Sequence, residues 1–307
     1  MIEMDKLKQI VTGSILENEP MSKHTSYGIG GPAIAFITPQ DRNDLKRILD
    51  FSNKNNIPVY FIGSGSNLLV SDDGIDGIVI SPAKSLKKLE IKNNLINAES
   101  GVMLGKLVKE SIKRNLSGLE SLIGVPGTLG GALVMNAGAF GREISNYLKS
   151  VEIMTSKGKL KSYISNEIDF SYRHSSFRTD EFILLAKFEL DYEKPDIIEK
   201  KKKIASKGRK TNQPLRFRSA GSVFKNPKNY AAGYLIDKAG LKGTRIGDAE
   251  ISTHHANFFV NHGSATSSDI TKLIRLARSN VLEQFDIELE LEIRTLGIDK
   301  EQIEAYD

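Results

Sequence analysis

The 307-residue sequence contains no cysteine and no tryptophan. The first absence removes disulfides, thiolate metal ligands and a thiol nucleophile together. The second, with aromatic residues at only 7%, leaves little for stacking nucleobases, so no nucleic-acid partner is expected. No apolar run approaches the roughly 18 residues of a transmembrane helix, and no membrane association is expected. The N-terminal stretch MIEMDKLKQIVTGSILENEP carries no long apolar segment of the secretory kind, which favours a cytoplasmic location.

Familiar site signatures are missing as well. No Gly-Lys-Ser/Thr closes a Walker-type loop, and no GxGxxG opens a helix with an acidic residue about 20 positions on. Gly28-Ile29-Gly30-Gly31 fails the same test. His254-His255 is not HExxH, and no metal site is expected. Gly221-Ser222 lacks the second glycine, at 224, of a GxSxG elbow.

What the chain does have is glycine in dense runs. Ser117–Gly141 holds seven glycines (118, 124, 127, 130, 131, 138, 141) around Pro126, with almost no charge. A second run, Gly63-Ser64-Gly65-Ser66-Asn67-Leu68, follows the apolar Val59–Ile62. Bare backbone N–H groups in such loops form anion-binding concavities, and diphosphates are their usual occupants. Tight turns or hinges would account for either loop alone. Two loops of different design suggest one extended ligand with a pyrophosphate in its middle.

The net charge of +5 is mild, but nine cations crowd the nineteen residues Lys200–Arg218. The Lys200–Lys203 run reads as a solvated helix face. Arg216 and Arg218 stand apart, in a loop beside Gly221-Ser222.

Composition is that of a soluble globular protein, 39% hydrophobic and 26% charged, long enough for two or three domains. Strands are expected at Ala33–Thr38, Val59–Ile62, Val151–Thr155, Leu160–Ile164, Phe182–Leu190 and Ala256–Val260. Helices are expected at Asp41–Asn56, Met103–Asn115, Lys194–Lys210, Tyr230–Ala239 and Ser268–Phe285. Ser267 or Ser268 would cap the last of these. Ile287–Leu296 alternates with period two and reads as a strand with Glu292 and Arg294 on its polar face. The pattern is α+β, and the division expected is 1–80, 81–195 and 196–307.

Taken in order, Tyr27–Gly31, Gly63–Val70, Ser117–Gly141, Tyr172–Phe177, Gly221–Pro227, Gly243–Gly247 with His255–Phe258, and Glu292-Ile293-Arg294 resemble the UDP-N-acetylenolpyruvoylglucosamine reductase family. The resemblance runs from about Thr25 to Gly297. It implies an FAD-binding fold of the vanillyl-alcohol-oxidase (PCMH) type in two subdomains, 1–80 and 81–195, and a C-terminal substrate-binding domain, 196–307. The short C-terminal third looks like the type II subclass, and a monomer is favoured.

The same resemblance implies reduction of a UDP-sugar enolpyruvyl ether, with FAD bound and NADPH as hydride donor, in peptidoglycan precursor synthesis. Its motifs map catalysis onto Arg173, Ser222 and Glu292. FAD contacts map onto Tyr27, Gly63, Ser64, Gly65, Ser66, Asn67, Leu68, Gly124, Pro126, Gly127, Thr128, Gly130, Gly131, Ala132, Asn136 and Gly138. Substrate contacts map onto Arg216, Arg218, Lys225, Asn226 and Arg294. Ser64 stands where the family's first phosphate loop would have glycine. Another FAD oxidoreductase of this fold would keep the glycine loops but not Gly221–Pro227 with Glu292-Ile293-Arg294. A non-catalytic nucleotide-binding module would need only the basic stretch.

Overall fold

The structure, a computed structural model, describes residues Glu3–Glu304. The chain packs as two compact units. One comprises the N-terminal residues to Glu17, Ala35–Ser64 and Gly77–Arg209; the other comprises Asn18–Ile34, Gly65–Asp76 and the chain from Lys210 onward. Among the described residues no helix is long and apolar enough to cross a membrane.

The first unit contains helices α1 (Met4–Ile10), α2 (Arg42–Lys54), α3 (Leu104–Ile112), α4 (Leu129–Val134) and most of α5 (Pro195–Asn212). Asp41 starts α2 by accepting hydrogen bonds from the Asn43 and Asp44 amides. The helix then buries Leu45, Ile48 and Leu49 against Ala35, Ile37, Ile78 and Ile80. Its sheet runs in the order Ser14–Pro20, Pro32–Thr38, Ile75–Ile80, Val59–Phe61. The strand, helix and strand expected at Ala33–Thr38, Asp41–Asn56 and Val59–Ile62 therefore form, with Ile75–Ile80 between the two strands. Ile75–Ile80 is parallel to Val59–Phe61, with Val59 opposite Ile78.

A second sheet has the order Leu160–Ile164, Leu148–Thr155, Glu181–Glu189, Leu95–Glu99, Leu89–Lys92, all antiparallel. Its core takes Leu104, Leu107 and Val108 from α3 and Leu129 and Leu133 from α4. The hairpin at 89–99 escapes sequence reading because its turn signal is Asn93, at φ +55°, without a glycine.

The second unit joins α6 (Ala232–Lys238) and α7 (Ser267–Phe285) to a small sheet of Arg245–Ile246, Ala249–Ile251 and Phe259–Asn261. Helix α7 buries Ile270, Leu273, Ile274, Ala277 and Val281, and each of these but Ala277 contributes about 1.5–3 kcal/mol when fully removed from water. Its cap is Thr266, not the expected Ser267 or Ser268. Thr266 Oγ1 accepts from the Asp269 amide at 3.1 Å, and Asp269 returns a carboxylate to the Thr266 amide at 3.0 Å. Ser267 instead holds Asp72, at 2.8 Å through both its amide and its hydroxyl.

Two strand expectations also shift. The strand expected at Ala256–Val260 begins only at Phe259, because the Phe258 amide closes a turn onto the His255 carbonyl. Ile287–Leu296 keeps its alternation, with Leu289 and Ile293 buried and Glu288 and Glu290 exposed. Only Arg294–Leu296 is a ladder strand, parallel to Leu68–Val70. Periodicity reports which side chains are buried; it does not report which backbone groups pair.

Asp44 is the most demanding buried charge in the first unit. Its carboxylate is fully buried and accepts from the amides of Thr12 (2.9 Å), Gly13 (2.8 Å) and Gln40 (2.8 Å), with Arg47 at 3.0 Å. Burial opposes the charge, but the Thr12, Gln40 and Gly13 amides outweigh it and hold the carboxyl below its ordinary range. A depressed folded pKa adds stability above the unfolded pKa, and that stability is lost as pH falls through the folded value. Asp44→Asn should therefore cost about 3 kcal/mol at neutral pH. Urea midpoints of parent and variant should draw together as pH falls through the carboxylate range; a gap of constant size down to the acid limit would contradict this account.

Candidate functional site

Ser222 and Glu292 come together in the second unit through backbone bonds. Gly221, at φ +82°, turns the chain so that Ser222 bridges antiparallel to Phe258. The Val223 amide donates to the Asn257 carbonyl at 2.8 Å, and the Val223 carbonyl accepts from the Glu292 amide at 2.8 Å. The Lys225 amide donates to the Glu290 carbonyl at 2.8 Å, while Phe224 bridges Leu291. The segment 222–225 thus runs between 257–258 on one side and 290–292 on the other. The buried Asn257 completes it, accepting from the Phe224 amide (2.9 Å) and donating to the Phe224 carbonyl (2.8 Å). Sequence reading named Asn257 within a motif but gave it no task; an amide able to donate and accept at one residue was the available signal.

Asn67 does a related job. Its carbonyl accepts from the Arg294 amide at 2.9 Å, and its side-chain amide donates to the Glu292 carbonyl at 3.1 Å. Leu68 then pairs with Arg294 in the parallel ladder. Gly65 explains itself within the same unit. It sits at φ +68°, and a Cβ there would lie 2.9 Å from Thr25 Cα and closer still to the His24 carbonyl. Tyr27 is fully buried, and burial pushes its hydroxyl pKa up. Arg218 packs on Gly28, whose absent Cβ would lie 3.0 Å from Arg218 Cδ. Arg216 and Arg218 are both exposed. Lys225 is ion-paired with Glu290, and Asn226 Oδ1 accepts from the Ala232 amide at 3.0 Å. His254 and His255 serve packing: His254 Nε2 lies 2.7 Å from the Thr211 carbonyl, and His255 Nδ1 accepts from the Asn257 amide. Burial keeps the His255 pKa low.

The first unit holds the other predicted residues. A Cβ on Gly63 would lie 2.5 Å from Thr128 Oγ1, so the first glycine run reaches the long one at that point. Thr128 caps α4, which carries Leu129, Gly130, Gly131 and Ala132. Gly130 is packed on Ser100, with a Cβ position 3.0 Å from Ser100 Cβ. Gly131 is open, its nearest neighbour Thr128 Oγ1 at 3.6 Å. Gly124 (φ +78°) and Gly127 (φ +127°) bracket Pro126 in conformations L-residues avoid. Asn136, fully buried at φ +41°, donates to Glu143 (2.7 Å) and the Ser171 carbonyl (3.0 Å). Its Oδ1 has no partner, and neither do the buried Ser85, Ser100 and Ser121 hydroxyls or Arg209 Nε. Arg173 sits at φ +55°, stacked 4.9 Å from the Tyr172 ring centroid and beside Gly138. Ser64 lies in this unit and Ser66 in the other.

A family described as the C-terminal domain of UDP-N-acetylenolpyruvoylglucosamine reductase matches residues 213–296, and an FAD binding domain family matches residues 33–163. The chain is 41% identical to the UDP-N-acetylenolpyruvoylglucosamine reductase of Alkaliphilus oremlandii, over 96% of this chain and 99% of that protein. It is 40% identical to that of Clostridium novyi, over 96% and 97%. Its structure is similar to the crystal structure of the Thermus caldophilus enzyme, with a TM-score of 0.78 and 35% identity, covering 92% of this chain and 98% of that one.

The contrast between Gly65 and Gly131 is testable on the protein alone. Gly65→Ala should lose about 2 kcal/mol or more, from its positive φ and the His24 backbone. Gly131→Ala should be neutral or stabilising by up to about 1 kcal/mol, because alanine is the better helix residue and space is free. Thermal unfolding of cofactor-stripped protein reads both; equal losses would mean the open space at Gly131 is not real.

Proposed function

The chain belongs to the UDP-N-acetylenolpyruvoylglucosamine reductase family, and from that premise we propose how its own residues carry out the FAD-dependent reduction of UDP-N-acetylglucosamine-enolpyruvate to UDP-N-acetylmuramate. The observation that carries this reading is the match over nearly the whole chain, together with a site whose donor set suits the cofactor. The first unit supplies a dense glycine run, an open position at Gly131, and buried polar atoms on Ser100, Ser121 and Asn136 that lack partners. Such a set fits a flavin dinucleotide, with its pyrophosphate along glycine and its polar ring edge needing acceptors and donors. We assign its binding to Gly63, Ser64, Gly124–Gly131, Ala132, Asn136 and Gly138, and to Tyr27 and Gly65–Leu68 in the second unit.

When bound, FAD supplies a hydride, for which NADPH is the proposed source. Reduction of the enolpyruvyl ether adds that hydride and one proton across its C=C bond. The hydride goes to the methylene carbon, so negative charge develops toward the carboxylate-bearing carbon as an enolate. Arg173 offers a fixed cation for that charge; its left-handed backbone and its stacking on Tyr172 restrict the guanidinium. Glu292 serves as a hydrogen-bond donor to the enolate when its carboxyl is protonated. Ser222 delivers the proton to carbon. Its position is set by backbone bonds on both flanks, so its hydroxyl needs no large rearrangement. Arg216, Arg218, Lys225, Asn226 and Arg294 are assigned to the UDP-sugar. The division 1–80, 81–195 and 196–307 separates cofactor from substrate binding in this reading. A cytoplasmic, monomeric enzyme, with its product feeding wall synthesis for growth and division, completes it.

Purified protein should be yellow and should oxidise NADPH only when UDP-N-acetylglucosamine-enolpyruvate is added, with the lactyl ether identified by mass. NADPH consumption indifferent to that substrate would return the chain to the broader class of flavin oxidoreductases. Ser222→Ala should leave reduction of the flavin by NADPH intact and slow its reoxidation by substrate about 10²–10⁴-fold, the usual contribution of a general acid. Stopped-flow absorbance of each half-reaction separates the two; a wild-type oxidative half would remove Ser222 from proton delivery.

A further inference from the structure

Two arginines flank the glycine-rich segment within the first unit. Arg173 lies against Gly138, where a Cβ would sit 3.3 Å from its terminal guanidinium nitrogen. Arg209 comes from α5, whose Gly208 is pressed on Phe140 of the same segment, with a Cβ position 2.9 Å from the ring. The Arg209 side chain then crosses Gly124, whose missing Cβ would lie 3.2 Å from Cδ and 3.5 Å from Nε. A side chain at 124 would therefore displace it. The Arg209 Nε is buried and has no partner. Desolvation, together with the positive charge of Arg173, makes its guanidinium costly to hold charged. Arginine stays protonated all the same, so the remedy is an anion.

We propose that Arg209 is a second substrate-binding guanidinium, which takes the enolpyruvyl carboxylate beside Arg173. The inference rests on the reductase reading above, which sets Arg173 at the enolpyruvyl end of the substrate. A planar fork with one buried, unfilled N–H matches a carboxylate, which can accept two parallel hydrogen bonds. The carboxylate also relieves the repulsion between the two arginines. In the sequence Arg209 is only one of the nine cations of Lys200–Arg218. Their surroundings differ: Arg216 and Arg218 belong to the second unit and are exposed, whereas Arg209 belongs to the first and its Nε is buried.

The test uses oxidised, FAD-loaded enzyme and calorimetric titration with two ligands, UDP-N-acetylglucosamine-enolpyruvate and UDP-N-acetylglucosamine. They share the nucleotide diphosphate and differ in the enolpyruvyl carboxylate. Arg209→Gln should weaken the first about 10–100-fold and leave the second unchanged, the range set by a charged hydrogen bond. Arg209→Lys keeps the charge but not the fork, and should recover only part of the loss. Equal weakening of both ligands would overturn the assignment in favour of the diphosphate. Unchanged affinity for both would overturn it outright, as would loss of flavin or a lowered melting temperature in both variants, which marks a structural role. Failure of the parent enzyme to bind the enolpyruvyl ligand would instead count against the reductase reading itself.

Discussion

The second unit depends on one constraint: the peptide groups of Ser222–Lys225 have no regular sheet of their own, yet must be satisfied. They are shared out to the Asn257 carbonyl, the Glu290 carbonyl and the Glu292 amide, and Asn257 fastens Phe224 from the side. A buried peptide left unpaired costs about 1–3 kcal/mol, so the three segments hold one another in register. That register is what puts the Ser222 and Glu292 backbones side by side. The helices and the three-stranded sheet supply the apolar floor beneath, through Val223, Phe224, Phe259 and Ile293.

Much of the fold was readable because amphipathic helices announce themselves. α2 and α7 carry their apolar residues at helical spacing and cap with polar ones, and both appear within a residue or two of expectation. The strand at Ile287–Leu296 shows the limit of such reading. Its side chains alternate in and out as the sequence requires, but before Arg294 only its Glu292 and Ile293 amides are paired with a loop segment, at the Val223 carbonyl. Side-chain burial is written in the residue types, whereas backbone pairing depends on what arrives from elsewhere in the chain.

The candidate site residues were picked out for a similar reason and to a similar depth. Glycines mark where a Cβ cannot go, but not why. Gly65 yields to the backbone of His24 and Thr25, Gly124 to the side chain of Arg209, and Gly131 to nothing in the protein. Those are three different causes under one letter. The resemblance that ties Ser117–Gly141, Gly221–Pro227 and Glu292–Arg294 together rests on order and spacing along the chain. It carries no information on the buried Arg209 Nε or the unpartnered Asn136 Oδ1, because orphaned atoms exist only once neighbours are in place.

Asn67 has a consequence in time. Its two hydrogen bonds go to residues about 225 positions later, and Leu68–Val70 completes a parallel ladder only with Arg294–Leu296. A growing chain emerges from the ribosome N-terminus first, so this loop is synthesised long before its frame exists. Its native shape waits for Arg294–Leu296 to leave the exit tunnel. A nascent chain stalled short of residue 294 therefore carries the loop without the strand that holds it.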